Sequence, residues 1–173
     1  MSTVKKYIPI FFLLFFMMAC SGCGYRFSGN GVLPGNVQSI FINVFENRTA
    51  ETGIESVFSN DLVIEFIRNG NPVANERDRA DAFLHGTVKS MTIDSVSHRD
   101  SHTSIETRVT VCMDLKMMDS QGDVIWSANN ISDSEVYLVV SEKSVTEQNR
   151  RIAISEISKR IAEKVYYRLT DRF

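Results

Sequence analysis

The chain opens on an unbroken apolar run from Ile8 to Ala19, preceded by Lys5 and Lys6 and followed by Cys20-Ser21-Gly22-Cys23. About a dozen apolar residues are too few to cross a bilayer as a helix and match the apolar centre of a secretory signal. Beyond residue 36 the pattern changes to short alternations and helical stripes. Val37 to Phe45 sets Ile40, Ile42 and Val44 against Phe41, Asn43 and Phe45, which predicts a strand with apolar cover on both faces. Thr52-Gly53-Ile54-Glu55 has the spacing of a capping box. Behind it Ile54, Phe58, Leu62 and Phe66 fall four apart, with Val57 and Ile64 beside them, so a helix is expected to start there. Asn69-Gly70-Asn71-Pro72 stops it, and strand plus helix reads as the first part of a βαβ unit.

Val73-Ala74 predicts a short edge strand before the charged turn Glu76-Arg77-Asp78-Arg79. Ala82 to Val96 alternates through Phe83, Leu84, Val88, Met91 and Ile93, with a slip between Val88 and Met91 that suggests a bulge. Ile105 to Met117 alternates cleanly: Ile105, Thr107, Val109, Val111, Met113, Leu115 and Met117 oppose Glu106, Arg108, Thr110, Asp114 and Lys116. Such a strand has one wet face, as in an antiparallel sheet. Asp119 to Asp123 is a hairpin turn, and Val124-Ile125-Trp126 begins the return, completing a three-strand meander. Tyr137-Leu138-Val139-Val140 reads as an apolar loop. Ser144-Val145-Thr146-Glu147 repeats the capping-box spacing ahead of a long helix striped by Ile154, Ile157, Ile161, Val165 and Leu169, with Glu156 placed to pair with Arg160. The order implies an α+β fold, a two-layer sandwich with two helices packed on one face of a four-stranded mixed β-sheet.

A thiol where the leader should be cut changes the picture from a secreted to a lipid-anchored chain. Cys23 follows small residues, as a lipoprotein peptidase site requires, while Cys20 meets that condition only through Ala19; Cys23 is the preferred acylation site and Cys20 the alternative. Each buried methylene contributes about 0.8 kcal/mol, so several acyl chains on one cysteine hold a protein on a membrane without a spanning helix. Residues 1–22 are then a leader, 23–36 a glycine-rich tether and 37–173 one domain of ordinary size. With Cys23 acylated only Cys112 remains, so no intrachain disulfide staples the core. The whole chain has 19 Lys and Arg against 21 Asp and Glu, and losing two leader lysines makes the mature domain more acidic. That balance gives no basic surface for nucleic acid.

Local chemistry is sparse. His98, Asp100, His102 and Glu106 invite a metal, but the stretch reads as a turn in which helical ligand spacing is lost. His85 stands alone in a strand, Cys112 has no histidine near it in sequence, and no Gly-x-Ser-x-Gly elbow is present. No cofactor and no catalytic residue is expected. Trp126, Tyr137, Tyr166 and Tyr167 read as core or partner contacts.

Gly22-Cys23-Gly24-Tyr25-Arg26-Phe27, Leu33-Pro34, and the passage from Ile40-Phe41-Ile42-Asn43-Val44-Phe45-Glu46-Asn47-Arg48-Thr49 to Gly53-Ile54-Glu55 carry a family likeness. The mature chain resembles the lipopolysaccharide-assembly lipoproteins of the LptE type. One departure is Cys20, where the lipobox of such proteins usually has leucine. The resemblance implies a plug inside an LptD-type β-barrel that also helps the barrel assemble and takes part in moving lipopolysaccharide to the outer leaflet. It further implies a lipid anchor in the periplasmic leaflet of the outer membrane, and basic residues at Arg99 and Lys143 that meet lipopolysaccharide phosphates. The competing expectations are an outer-membrane lipoprotein that regulates a cell-wall synthase and, further off, a lipid-anchored hydrolase.

Overall fold

The computed structural model describes residues 31–98 and 105–170. Their chain order is β1 (Ile40–Ile42), β2 (Glu46–Asn47), α1 (Ile54–Arg68), β3 (Ala82–His98), β4 (Ile105–Asp119), β5 (Val124–Val139) and α2 (Lys143–Thr170). The sheet runs β1-β3-β4-β5, and β2 also pairs with β3, so five strands fill four lanes. β1 and β2 lie parallel to β3 in one interrupted lane, Ile40 opposite Ala82 and Glu46 opposite Thr87. β3, β4 and β5 form the expected antiparallel meander.

The break between β1 and β2 corrects the expectation of one continuous strand. Simple alternation would bury Val44, yet Val44 is 68% exposed and Phe45 is buried. The reason is the bare backbone of Gly86: a Cβ there would lie 2.6 Å from the Phe45 ring, so the absent side chain is what admits the ring. The chain kinks to use that space. The expected bulge in β3 is present, as a pairing shift between Val88 and Ser90. Val73 contributes only an isolated bridge to Ile40.

Both helices lie on one face of the sheet. Ile54, Phe58, Leu62 and Phe66 of α1 and Ile154, Ile157, Ile161, Val165 and Leu169 of α2 close over Leu84, Val88, Val109, Val111, Met113, Leu115 and Met117, all buried. Each such side chain contributes about 1.5–3 kcal/mol on burial, enough in number to hold a core without disulfides. Val57 and Ile64, aligned with the α1 stripe in sequence, are exposed. The helices run parallel, since Ser158 bonds the Val57 carbonyl and Tyr166 meets the Phe66 ring edge-on at 5.3 Å.

Neither capping box forms. α1 is preceded by Gly53 at φ 87° with no side-chain cap, and Glu55 instead accepts from the Asn47 amide at 2.9 Å. At α2, Ser144 turns to Glu142, and Thr146 both accepts from the Val140 amide (3.0 Å) and donates to the Val140 carbonyl (3.1 Å). Bonds to the segment just before each helix replace the reciprocal bonds of the box.

Candidate functional site

Two poles define the molecule. At one, Tyr166 donates to the Asn71 side-chain oxygen at 2.7 Å and accepts from the Gly31 amide at 3.2 Å, while Asn71 donates to the Gly31 carbonyl at 3.0 Å. A Cβ on Gly31 would collide with Thr170. This knot fixes the point where the tether meets the domain, beside the C-terminal end of α2. Lys143, exposed, opens α2 at the other pole. A helix of this length separates the two by about 40 Å. Ile105 pairs with both His98 and Val139, so the strand ends that flank residues 99–104 share the pole with Lys143. Arg99 and both candidate acylation sites, Cys20 and Cys23, lie outside the described residues.

The sheet face away from the helices is polar. Register sets Asp94 opposite Arg108, Thr87 opposite Asp114, and His85 opposite Lys116. A shallow cavity of about 350 Å³ there is lined by Arg48, His85, Thr87, Asp114, Lys116 and Ser127. Lys89 bridges Asp114 (3.1 Å) and the Asn130 side-chain oxygen (2.8 Å), and Arg48 grips Glu46 at 2.9 Å. The bond from Arg48 holds the Glu46 carboxyl below its usual range. Burial, with Lys116 and Arg77 nearby, lowers the His85 pKa, and Asn43 donates to the neutral imidazole at 2.9 Å. His85 is thus a bonded structural histidine, and the wet face that β4 predicts is present.

The free edge of β5 is occupied by the molecule's own side chains. Strand residues aim their main chains alternately to either side, and on β5 residues 132, 134, 136 and 138 aim outward. Lys164 donates to the Ser132 carbonyl (3.2 Å), Arg160 to that of Ser134 (3.1 Å), and Asn149 to that of Leu138 (2.9 Å). The Ser134 and Val136 amides donate to Asp133 and Glu135. Asp133 holds both Arg160 (3.2 Å) and Lys164 (2.7 Å). Burial raises its carboxyl, but the bonds from Lys164, Arg160 and the Ser134 amide outweigh this and leave the pKa below the ordinary value.

Sequence spacing missed this row: Arg160 pairs with Asp133 and Glu135 across the layers, and Glu156 takes Lys159 at 2.7 Å instead. The readable signal was the acidic alternation Asp133-x-Glu135 on a strand facing a basic helix. Tyr137, Leu138 and Val139 belong to β5 rather than to a loop, with Tyr137 buried and Leu138 exposed. A groove of about 240 Å³ between that strand and α2 is lined by Val136, Leu138 and Ile152. Trp126 and Tyr166 join the core, and Tyr167 is exposed. Among the described residues no group of His, Cys, Asp and Glu is placed to hold a metal, and no helix is long and apolar enough to cross a membrane.

The fold defines a small two-layer α+β sandwich. Residues 37–169 match the family model LptE, lipopolysaccharide-assembly, and the chain belongs to that family. At family level it is a lipopolysaccharide-assembly lipoprotein. Among solved structures it is similar to an uncharacterized lipoprotein B of Nitrosomonas europaea, at TM-score 0.55 and 13% identity, covering 85% of this chain and 90% of that one. A protein from Xanthomonas campestris is similar at TM-score 0.51 and 12% identity, covering 82% and 90%. Both likenesses concern the fold alone. No curated protein matches the chain in sequence.

Proposed function

We propose that this chain is the plug lipoprotein of a lipopolysaccharide translocon, seated in the lumen of an LptD-type β-barrel whose assembly it assists. Acyl chains on Cys23, with Cys20 as the alternative, hold it to the periplasmic leaflet of the outer membrane. The observation that carries this reading is the distance between poles: the tether knot at Gly31 and the Lys143 end of α2 stand about 40 Å apart. A bilayer with its headgroups is about 40–45 Å thick. A domain anchored at one leaflet and upright in a barrel therefore brings Lys143, and the strand ends on either side of residues 99–104, to the level of the other. A lysine ammonium and an arginine guanidinium there suit the phosphates of lipopolysaccharide, the arginine by a two-pronged contact. The polar sheet face suits a wet lumen.

Copurification from detergent-extracted outer membranes tests the plug. The expected result is stoichiometric recovery with a large barrel; recovery alone, or with a peptidoglycan synthase, refutes it and favours the regulator. Cys23→Ala is expected to give a folded but mislocalised protein with little barrel bound, and wild-type membrane retention would contradict the anchor. A photoreactive residue at Lys143 is expected to give glycolipid adducts, which fail to appear if that pole faces the periplasm.

A further inference from the structure

The outer side of β3 is paired only as far as its bulge. The Asn43 amide donates to the Leu84 carbonyl at 3.2 Å and the Arg48 amide to that of Val88 at 3.0 Å, and β2 ends at Asn47. From Lys89 to Val96 no described strand lies along that side, roughly 25 Å of edge. The pairing shift at Val88/Ser90 moves the outward aim of the main chain from Leu84 and Val88 to Met91, Ile93 and Ser95. Pairing shifts at Val88/Ser90 and Ser95/Ser97 bracket the stretch, and between them Met91 to Ser95 pair with β4 without interruption. No proline interrupts the stretch, and Lys89 turns across the open face to Asp114 and Asn130 instead of guarding the edge. Ile93 and Val96 are 46% and 41% exposed beside these free amides and carbonyls. An edge with this inventory, otherwise hydrated, suits an extended polypeptide that adds as a strand.

We infer that this edge receives an extended segment of the barrel subunit, which adds as a strand in the lane that β1 and β2 fill nearer the tether. The inference rests on the plug reading above and adds the mode of docking. A second copy of this chain fits the lane poorly. In an antiparallel pair across a two-fold axis, the tip of each β3, which runs on to His98, strikes the other copy's β2 unless the axis lies at or beyond Asp94. The first such register sets the two Asp94 carboxylates face to face. A single segment ending short of β2 meets neither obstacle. Met91 and Ile93 line one face of the lane and Thr92 and Asp94 the other, so the segment that fits alternates apolar with polar or basic residues.

Hydrogen exchange read by mass spectrometry, on the full chain alone and in its copurified complex with the barrel, tests this. Peptides covering 89–96 are expected to exchange about tenfold slower in the complex, while those of the β5 edge, already blocked, stay unchanged and report any general exclusion of water. Ser95→Pro removes one outward amide and leaves the β4 pairing of Thr92 and Asp94 intact. It is expected to cut recovered complex about fivefold, with Ser95→Ala retaining it, at an unchanged melting temperature. A complex with unprotected 89–96 overturns the added strand and leaves the plug standing, whereas failure to recover any complex overturns both. Concentration-dependent dimers of the isolated chain that protect the same residues assign the edge to a second copy and overturn the inference.

Discussion

β5 and the far half of β3 both border the sheet, yet one edge is filled from within and the other is bare. On β5, Asn149, Arg160 and Lys164 reach over from α2 to take outward carbonyls, and Asp133 and Glu135 take outward amides. On β3 the covering lane stops at Asn47, and α1 closes over the half that β1 and β2 accompany. A strand edge left open invites pairing with any other chain. Which edge is closed is therefore not set by β-propensity. A basic helix lies beside β5, and among the described residues no strand or helix lies along the outer side of β3 beyond Val88.

The largest effect that bears on this contrast lies within β3 itself. Leu84, fully buried on the covered half, is expected to lose about 2–5 kcal/mol of stability as Leu84→Ala, whereas Ile93→Ala on the bare half loses less than about 1 kcal/mol. Chemical denaturation measures both, and equal losses would show that the far half is covered in solution. Next comes the acidic anchor of the other edge. Asp133→Ala removes the partner shared by Arg160, Lys164 and the Ser134 amide, at an expected cost of about 1–3 kcal/mol. It also unblocks β5, so concentration-dependent association should appear in sedimentation; a monomeric variant would mean the remaining donors suffice to guard the edge.

Acidity sharpens the contrast further. The Asp133 pKa is lowered in the folded state, so its contribution is complete above the unfolded value near 3.9 and is lost as pH falls through the folded one. His85 is also lowered, which means the unfolded chain binds more protons just below about 6.5 and stability drops as pH falls there. Melting temperatures followed from pH 7 to 3 are expected to show both declines, with His85→Gln removing the upper and Asp133→Asn reducing the lower, to which the lowered carboxyls of Asp81 and Asp114 also contribute. The smallest effects concern the helix starts. Thr146→Ala frees Val140 where β5 meets α2 and is expected to cost about 1 kcal/mol, while Thr52→Ala, with no cap to lose, stays within about 0.5 kcal/mol.

The alternation from Thr107 to Met117 and the stripes of Ile54 to Phe66 and Ile154 to Leu169 were readable because each repeats one period against one continuous apolar layer. The order of the long strands and helices, the two-layer class, the bulge in β3 and the family likeness were legible in the residues alone. Tertiary structure alone decided that Phe45 rather than Val44 turns inward over Gly86 and that Arg160 serves β5 instead of Glu156, while both capping boxes give way to bonds with the segments leading into the helices. It also decided that Gly31 and Lys143 stand at opposite poles. The reason is one of range. Periodicity and capping are set by residues a few positions apart, whereas a ring over a glycine, an ion pair between layers or an open sheet edge depends on residues the chain brings together only after it has folded.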